Sequence, residues 1–474
     1  MQSGGDDPAK SDGVRAPAGR ATRVRPSKYV LIGIGATLAF AGAITATALA
    51  SRGDGGPQSA VDASRATPRV TSTPPAPTAT VASASVPSAS PTSLAGTAPP
   101  PSAAAVVPVA TDPPPPSSAP ALQPTPNVVP SATPLPVETV APRYDPAPGL
   151  RDKYLQPFAS DSIWNMPLGS GAVYVPAHID PTSAITVDDE YWLVTDASMP
   201  ERQLYSNANF VFGRCDTDKY ESDIRIPDDF IVPDASDGNT PNNVAAILLP
   251  DGRTIEQMNP ISRCEAGGPL TAGYLAPSVD IYGPGRLGGH GGSHLSSIGG
   301  SLRLGELTSF DPIRHVLKVN LFGHRFLSQA QSGFRWPATA ADSSALGDPS
   351  DINSYDGNLP ALRMGSLLAL PPNVDIASLG LTTDAARKLA WTLQNYGAYV
   401  VDDTSWNADA IDAQVGVEDE FQQAYGTSME ATSGAWYQDI MRLFSALAVV
   451  DDNGPSSVGG GGAPLQPLAP PIGN

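Results

Sequence analysis

The stretch Ala245-Ala-Ile-Leu-Leu-Pro-Asp-Gly-Arg-Thr-Ile-Glu-Gln-Met258 reads as two strands, 245–249 and 254–258. They flank the turn signal Pro250-Asp251-Gly252, whose residues preset a reversal of the backbone. The same grammar recurs on either side. Asp-Gly stands at 237–238 and 356–357, and Gly-Pro-Gly at 283–285. Further strand candidates are 301–304, 315–321 and 398–402. Residues 317–321, Leu-Lys-Val-Asn-Leu, alternate strictly, as a half-buried strand does. Residues 303–307 alternate only loosely.

Two helices follow late in the chain. Thr383-Asp384 can cap a helix over 385–396, with Ala386, Leu389, Ala390 and Leu393 on one face and Gly397 as its stop. Ser433 can cap a second over 435–449, with Ile440, Leu443, Phe444 and Leu447 inward. The expectation is a mostly β domain over 146–453, a β-sandwich or jelly-roll-like unit with two or three C-terminal helices. No internal repeat is visible.

Farther out the composition changes. There is no Phe, Trp or Tyr between Ser51 and Arg143, and Pro, Ala, Ser and Thr dominate there. Such a segment buries too little apolar surface to offset its conformational entropy, so 51–145 reads as a disordered linker. Before it, residues 29–50 form an uncharged run, YVLIGIGATLAFAGAITATALA. As a helix this run is long enough to cross a hydrocarbon core of about 30 Å. The basic residues Arg15, Arg20, Arg23, Arg25 and Lys28 precede it. That places residues 1–28 in the cytoplasm as a basic tail and the rest outside, on a signal anchor. Ala48-Leu49-Ala50 offers the alternative of a signal cleaved after Ala50 and a secreted chain. Residues 454–474, rich in Gly and Pro, are either a disordered tail or an extended arm lying on the domain.

The formal net charge is −19, and the residues after 145 alone carry −21, partly offset by the basic N-terminus. A surface this acidic repels phosphate backbones, which argues against nucleic-acid partners. It could hold a cation, and calcium is the one cofactor the composition suggests. The only cysteines, Cys215 and Cys264, lack metal-ligand spacing and are expected to form a disulfide outside the cytoplasm.

Chemistry concentrates in Asp280-Ile-Tyr-Gly-Pro-Gly-Arg-Leu-Gly-Gly-His-Gly-Gly-Ser-His-Leu-Ser-Ser-Ile-Gly-Gly300, where eight of the eighteen residues from Gly283 are Gly. Gly283-x-Gly285-x-x-Gly288 is not read as a dinucleotide site, because Pro284 interrupts it and no helix follows. His290 and His294 have the spacing of a helical zinc pair, but Gly291 and Gly292 between them oppose a helix. No G-x-S-x-G elbow supports a serine esterase. Four of the five histidines, His290, His294, His315 and His324, lie within 35 residues. Together with Arg286, Asp280 and Glu306 they could supply a base and a carboxylate-neutralising cation, the needs of uronic-acid elimination. The ordinary alternative is structural imidazoles bonded to nearby backbone. A separate reading is a glycosidase pair of acids, drawn from Glu256, Asp280, Glu306, Asp402 and Asp403. Trp164, Trp192, Tyr282, Trp336 and Tyr355 could stack on sugar rings or belong to the core.

Four runs, FASDSIWNMPL (158–168), GGHGGSHLSSIGG (288–300), IRHVLKVNL (313–321) and LQNYGAYVVDD (393–403), give the chain a likeness to a family. It resembles exported bacterial proteins for which no activity is established. The resemblance implies one domain of one type, draws attention to Asn165, His290 and His315, and carries over no catalytic role. The functional expectation is a membrane-anchored domain acting on cell-envelope or environmental glycans as lyase or hydrolase. The alternative is a non-catalytic glycan-binding, adhesive or structural envelope module. The membrane, through 29–50, and a polysaccharide are the expected partners.

Overall fold

The structure, a computed structural model, describes residues 149–473 except 210–211, 234 and 236–241. The basic tail, apolar run and linker expected at 1–28, 29–50 and 51–145 lie outside the described residues, as does the Asp-Gly turn signal at 237–238. Among the described residues no helix is long and apolar enough to cross a membrane.

Among the described residues there are twelve strands, eight of them before the first helix. In chain order they are β1 (Tyr174–Pro176), β2 (Ala184–Val194), β3 (Glu201–Ser206), β4 (Lys219–Arg225), β5 (Val244–Leu248) and β6 (Thr254–Ser262). They continue with β7 (Leu270–Asp280), β8 (Leu317–Phe322), β9 (Leu367–Ala369), β10 (Ala398–Thr404), β11 (Ala408–Gln414) and β12 (Ala448–Val450). The helices are α1 (Gly323–Phe326), α2 (Asp384–Asn395), α3 (Val417–Tyr425) and α4 (Gly434–Ser445).

The β-rich expectation holds, and the quoted stretch forms the antiparallel pair β5–β6. The sandwich form is corrected. All twelve strands join one mixed sheet in the order β1-β12-β9-β10-β8-β11-β2-β5-β6-β7-β3-β4. Four contacts are parallel: β8 with β10, β2 with β11, β2 with β5, and β3 with β7. Turn residues specify only neighbours in sequence, whereas Ala408 pairs with Ala184 across more than half the domain.

The central strands are sided. Ile185, Leu317, Val319, Leu321, Ile411 and Ala413 join the apolar cluster that includes Leu389 and Leu393 of α2 and Ile440 and Leu443 of α4. Alternation then sends Asp188, Glu190, Lys318, Asn320 and Asp412 to the opposite face. The expected half-buried strand is thus buried along its whole length, Lys318 and Asn320 included. In β10 the register to β8 slips between Val400 and Asp402, so that Asp402 lies opposite Asn320. Such a bulge re-aims a side chain, and here it adds a carboxylate to the polar face.

α2 begins as expected, but Thr383 does not cap it through its own side chain. Asp439 of α4 reaches across and accepts the amide hydrogens of Thr382 (2.8 Å) and Thr383 (2.7 Å). α4 stops at Ser445, short of the expected 449, because the chain turns into β12 between β1 and β9. Residues 301–304 do not form a strand; Leu302 makes only an isolated bridge to Ala413. The C-terminal segment is the extended arm. Leu465 donates to the Leu168 carbonyl (2.8 Å) and Gly473 to that of Arg151 (3.1 Å). Cys215 and Cys264 form a disulfide with a Cα separation of 6.1 Å.

Candidate functional site

The polar face of β10, β8, β11 and β2 is covered by the Gly-rich loop. Gly288 donates its amide to the His294 carbonyl (3.0 Å), His294 to that of His290 (2.9 Å), and Gly289 to Ser297 Oγ (3.1 Å). A Cβ on Gly289 would lie 2.6 Å from the Met258 nitrogen, so only glycine lets the loop approach β6 this closely. The loop drives His290, fully buried, into the acids. Its Nε2 lies 2.9 Å from Asp412 Oδ1 and 3.2 Å from Glu190 Oε1, and its Nδ1 lies 3.3 Å from Asp402 Oδ2. Glu190 also takes Lys318 Nζ and the Ser301 hydroxyl.

Burial alone would strip the His290 proton, but hydrogen bonds to Asp402, Asp412 and Glu190 outweigh it and raise its pKa well above the usual value. Burial likewise opposes the Glu190 charge, yet Lys318 and His290 hold its carboxyl below the ordinary range. Asp188, desolvated and repelled by Asp412, is pushed up to about 7. Its Oδ2 accepts the amides of Asn242 (2.8 Å) and Asn320 (2.8 Å).

A second group adjoins through Asp402. Asp342, Asp402 and Asp403 each bring one oxygen to within 4.8 Å of the others. Asp342 and Asp403 are half-buried. The Asp342 carboxyl also accepts from the Tyr355 hydroxyl. Desolvation first, and the neighbouring carboxylates second, raise Asp342 to about 7 and Asp403 to about 9. Gly292 presses on this group: a Cβ there would meet Asp402 Oδ1 at 2.7 Å and both Asp342 oxygens at 2.9 Å. The arrangement provides a carboxylic acid that keeps its proton at neutral pH beside a carboxyl held by an imidazolium, a pairing suited to acid–base work.

The expected site residues divide. His290 enters the centre. His294 stacks on Tyr274 at the rim, with centroids 5.0 Å apart and planes at 16°. His315 is buried elsewhere, with Nδ1 at 2.9 Å from the Val316 carbonyl and Nε2 at 3.0 Å from Glu306 Oε1. Both partners raise its pKa against burial. His324 bonds the Ser354 carbonyl (3.0 Å). Arg286 donates to the Pro337 carbonyl (2.6 Å), and Asp280 pairs with Arg253 at an exposed edge. The base-plus-arginine set for uronate elimination is therefore not assembled. Of the aromatic candidates, Trp164 and Tyr355 are fully enclosed, and Trp192 is 9% exposed. Asn165 is buried and donates to the Pro157 carbonyl (2.8 Å), a structural role.

Of the acid pairs, Asp402 with Asp403 is the one that meets. Asp188, Glu190, Asp342 and Asp412 were not singled out by sequence. The signal for three of them was present: the run of three acids Asp188-Asp189-Glu190 in a largely apolar stretch, and Asp412 in an otherwise apolar Ala-Ile-Asp-Ala run. Three of the four family-like runs meet here, bringing His290, Lys318 with Asn320, and Asp402 with Asp403. No family model, curated protein or solved structure matches the chain.

Proposed function

We propose that the chain is a glycoside hydrolase working on envelope or environmental glycans from an anchored, extracytoplasmic position. The supporting observation is the meeting of Asp342, Asp402 and Asp403 beside the Gly-rich loop. Asp403, which retains its proton, serves as general acid to the leaving sugar oxygen. Asp402, held by His290 and the Asn242 amide (3.2 Å), serves as nucleophile. The close approach of the acids leaves little room for a water between them, which favours retention of anomeric configuration. Tyr274 and His294 form an aromatic platform on the rim for a neighbouring sugar. The Cys215–Cys264 disulfide fits an exported domain.

The test is incubation of the full chain with neutral and uronic-acid polysaccharides, following reducing ends and unsaturated products. We expect reducing ends without unsaturation, and a loss of about 100-fold or more in kcat for Asp403→Asn and Asp402→Asn. Unsaturated products would favour a lyase. Binding without release from any polymer would favour the non-catalytic module.

A further inference from the structure

We propose that Asp188, Asn320 and Asp412 hold a divalent cation of the hard, oxygen-preferring class, calcium foremost. Three observations converge on the point where β2, β8 and β11 meet. Asp188 and Asp412 stand directly opposite one another in the parallel β2–β11 pair, and their carboxylate oxygens lie within 4.8 Å of each other and of a His290 nitrogen. Asp412 is completely buried, and only its Oδ1 is engaged, by His290; its Oδ2 has no hydrogen-bond partner. Asn320, 2% exposed, directs its amide group at Asp188, and its Oδ1 is likewise unpartnered. Buried oxygens without donors are rare in folded proteins and costly to desolvate.

The charge balance points the same way. Among the described residues, the four carboxyls Asp188, Glu190, Asp402 and Asp412 face two cationic side chains, His290 and Lys318. Both His290 nitrogens are turned toward carboxylates, so the imidazole orients the acids and does not ligate. The donors left over are all oxygens, a set suited to calcium or magnesium and poorly suited to zinc. Asp188 is half-buried, which leaves a side open for water to complete the shell.

Calorimetric titration of the chelator-stripped full chain with calcium chloride tests this without any glycan, so it stands or falls apart from hydrolysis. We expect one equivalent bound, with affinity reduced about tenfold or more in Asp188→Asn and Asp412→Asn. Asp403→Asn, in the adjoining group, should bind as the wild type does. Asn320→Asp adds a charged ligand in the same volume and should bind calcium several-fold more tightly, a gain that misfolding cannot mimic. Absence of calcium binding by the stripped wild type would overturn the proposal. So would zinc displacing calcium at equal concentration, an unchanged affinity in Asn320→Asp, or a loss confined to Asp403→Asn.

Discussion

Gly292 separates catalysis from stability. The atoms nearest a methyl group there are the carboxylate ends of Asp402 and Asp342, which can swing aside. The fold should tolerate Gly292→Ala, while the acids lose their alignment. We expect kcat to fall about 100-fold with little change in melting temperature, as misplacements near 1 Å do. Comparing turnover with a thermal melt of the same preparation checks it; equal activity in the variant would remove the loop from the mechanism. His290 is the opposite case. Its ring is the shared partner of Asp402, Asp412 and Glu190, with none of its surface exposed. Replacement by Leu strands those acids and should destabilise the domain by about 3–5 kcal/mol, measured by denaturant unfolding. At this scale the sequence was partly legible. Asp402 and Asp403 stood out as adjacent acids ending an apolar strand, and His290 as a polar residue among glycines. Asp342 lies in an irregular segment whose return to β10 no local pattern announces.

Helix α2 shows how one element depends on another. The two amides that lead into it, those of Thr382 and Thr383, are satisfied by Asp439 of α4, a completely buried carboxylate. Burial opposes the charge, but the bonds from Thr383 and Thr382 outweigh it and lower the pKa. Asp439→Ala leaves those donors without an acceptor and should cost about 1–3 kcal/mol, seen as a reduced denaturation midpoint. An unchanged midpoint would mean that water replaces the carboxylate. The helix itself was legible, because its apolar spacing and its stop are local. The anchor of its entry was not, since Asp439 lies 56 residues beyond Thr383 and only the fold brings it there. β8 carries the same lesson. Alternation identified the strand correctly, but in a sheet covered on both sides the polar positions face a buried site and not solvent.

Across the whole molecule, the β content was legible from turn residues, while the continuous sheet was not, because its parallel pairs join distant segments. The disulfide closes a loop with a sequence separation of 49. Chain entropy then assigns it about 4 kcal/mol, and reduction should lower the melting temperature accordingly. The buried acids also set a pH dependence. Asp342 and Asp403 keep protons in the folded chain that the unfolded chain releases above the ordinary carboxyl value of 3.8. Stability therefore falls as pH rises, through about 7 for Asp342 and about 9 for Asp403. His290 and His315, raised above 6.5, act in the same direction: their contribution is complete below that value and is lost as pH rises through the folded values. Glu190, lowered from 4.5, opposes this only at the acid end, losing its contribution as pH falls. Melting temperature in chelator should decline from pH 5 to pH 9, and less steeply in Asp403→Asn. The central claim is that a protonated carboxyl persists among ionised neighbours on the polar face. Infrared difference spectroscopy of wild type against Asp403→Asn at pH 7 tests it most directly. The wild type should show a protonated-carboxyl band in excess of the partial signal that Asp188 and Asp342 give in both proteins, and that excess should fade as pH rises through about 9. Spectra showing no such excess at pH 7, with both proteins folded, would contradict it.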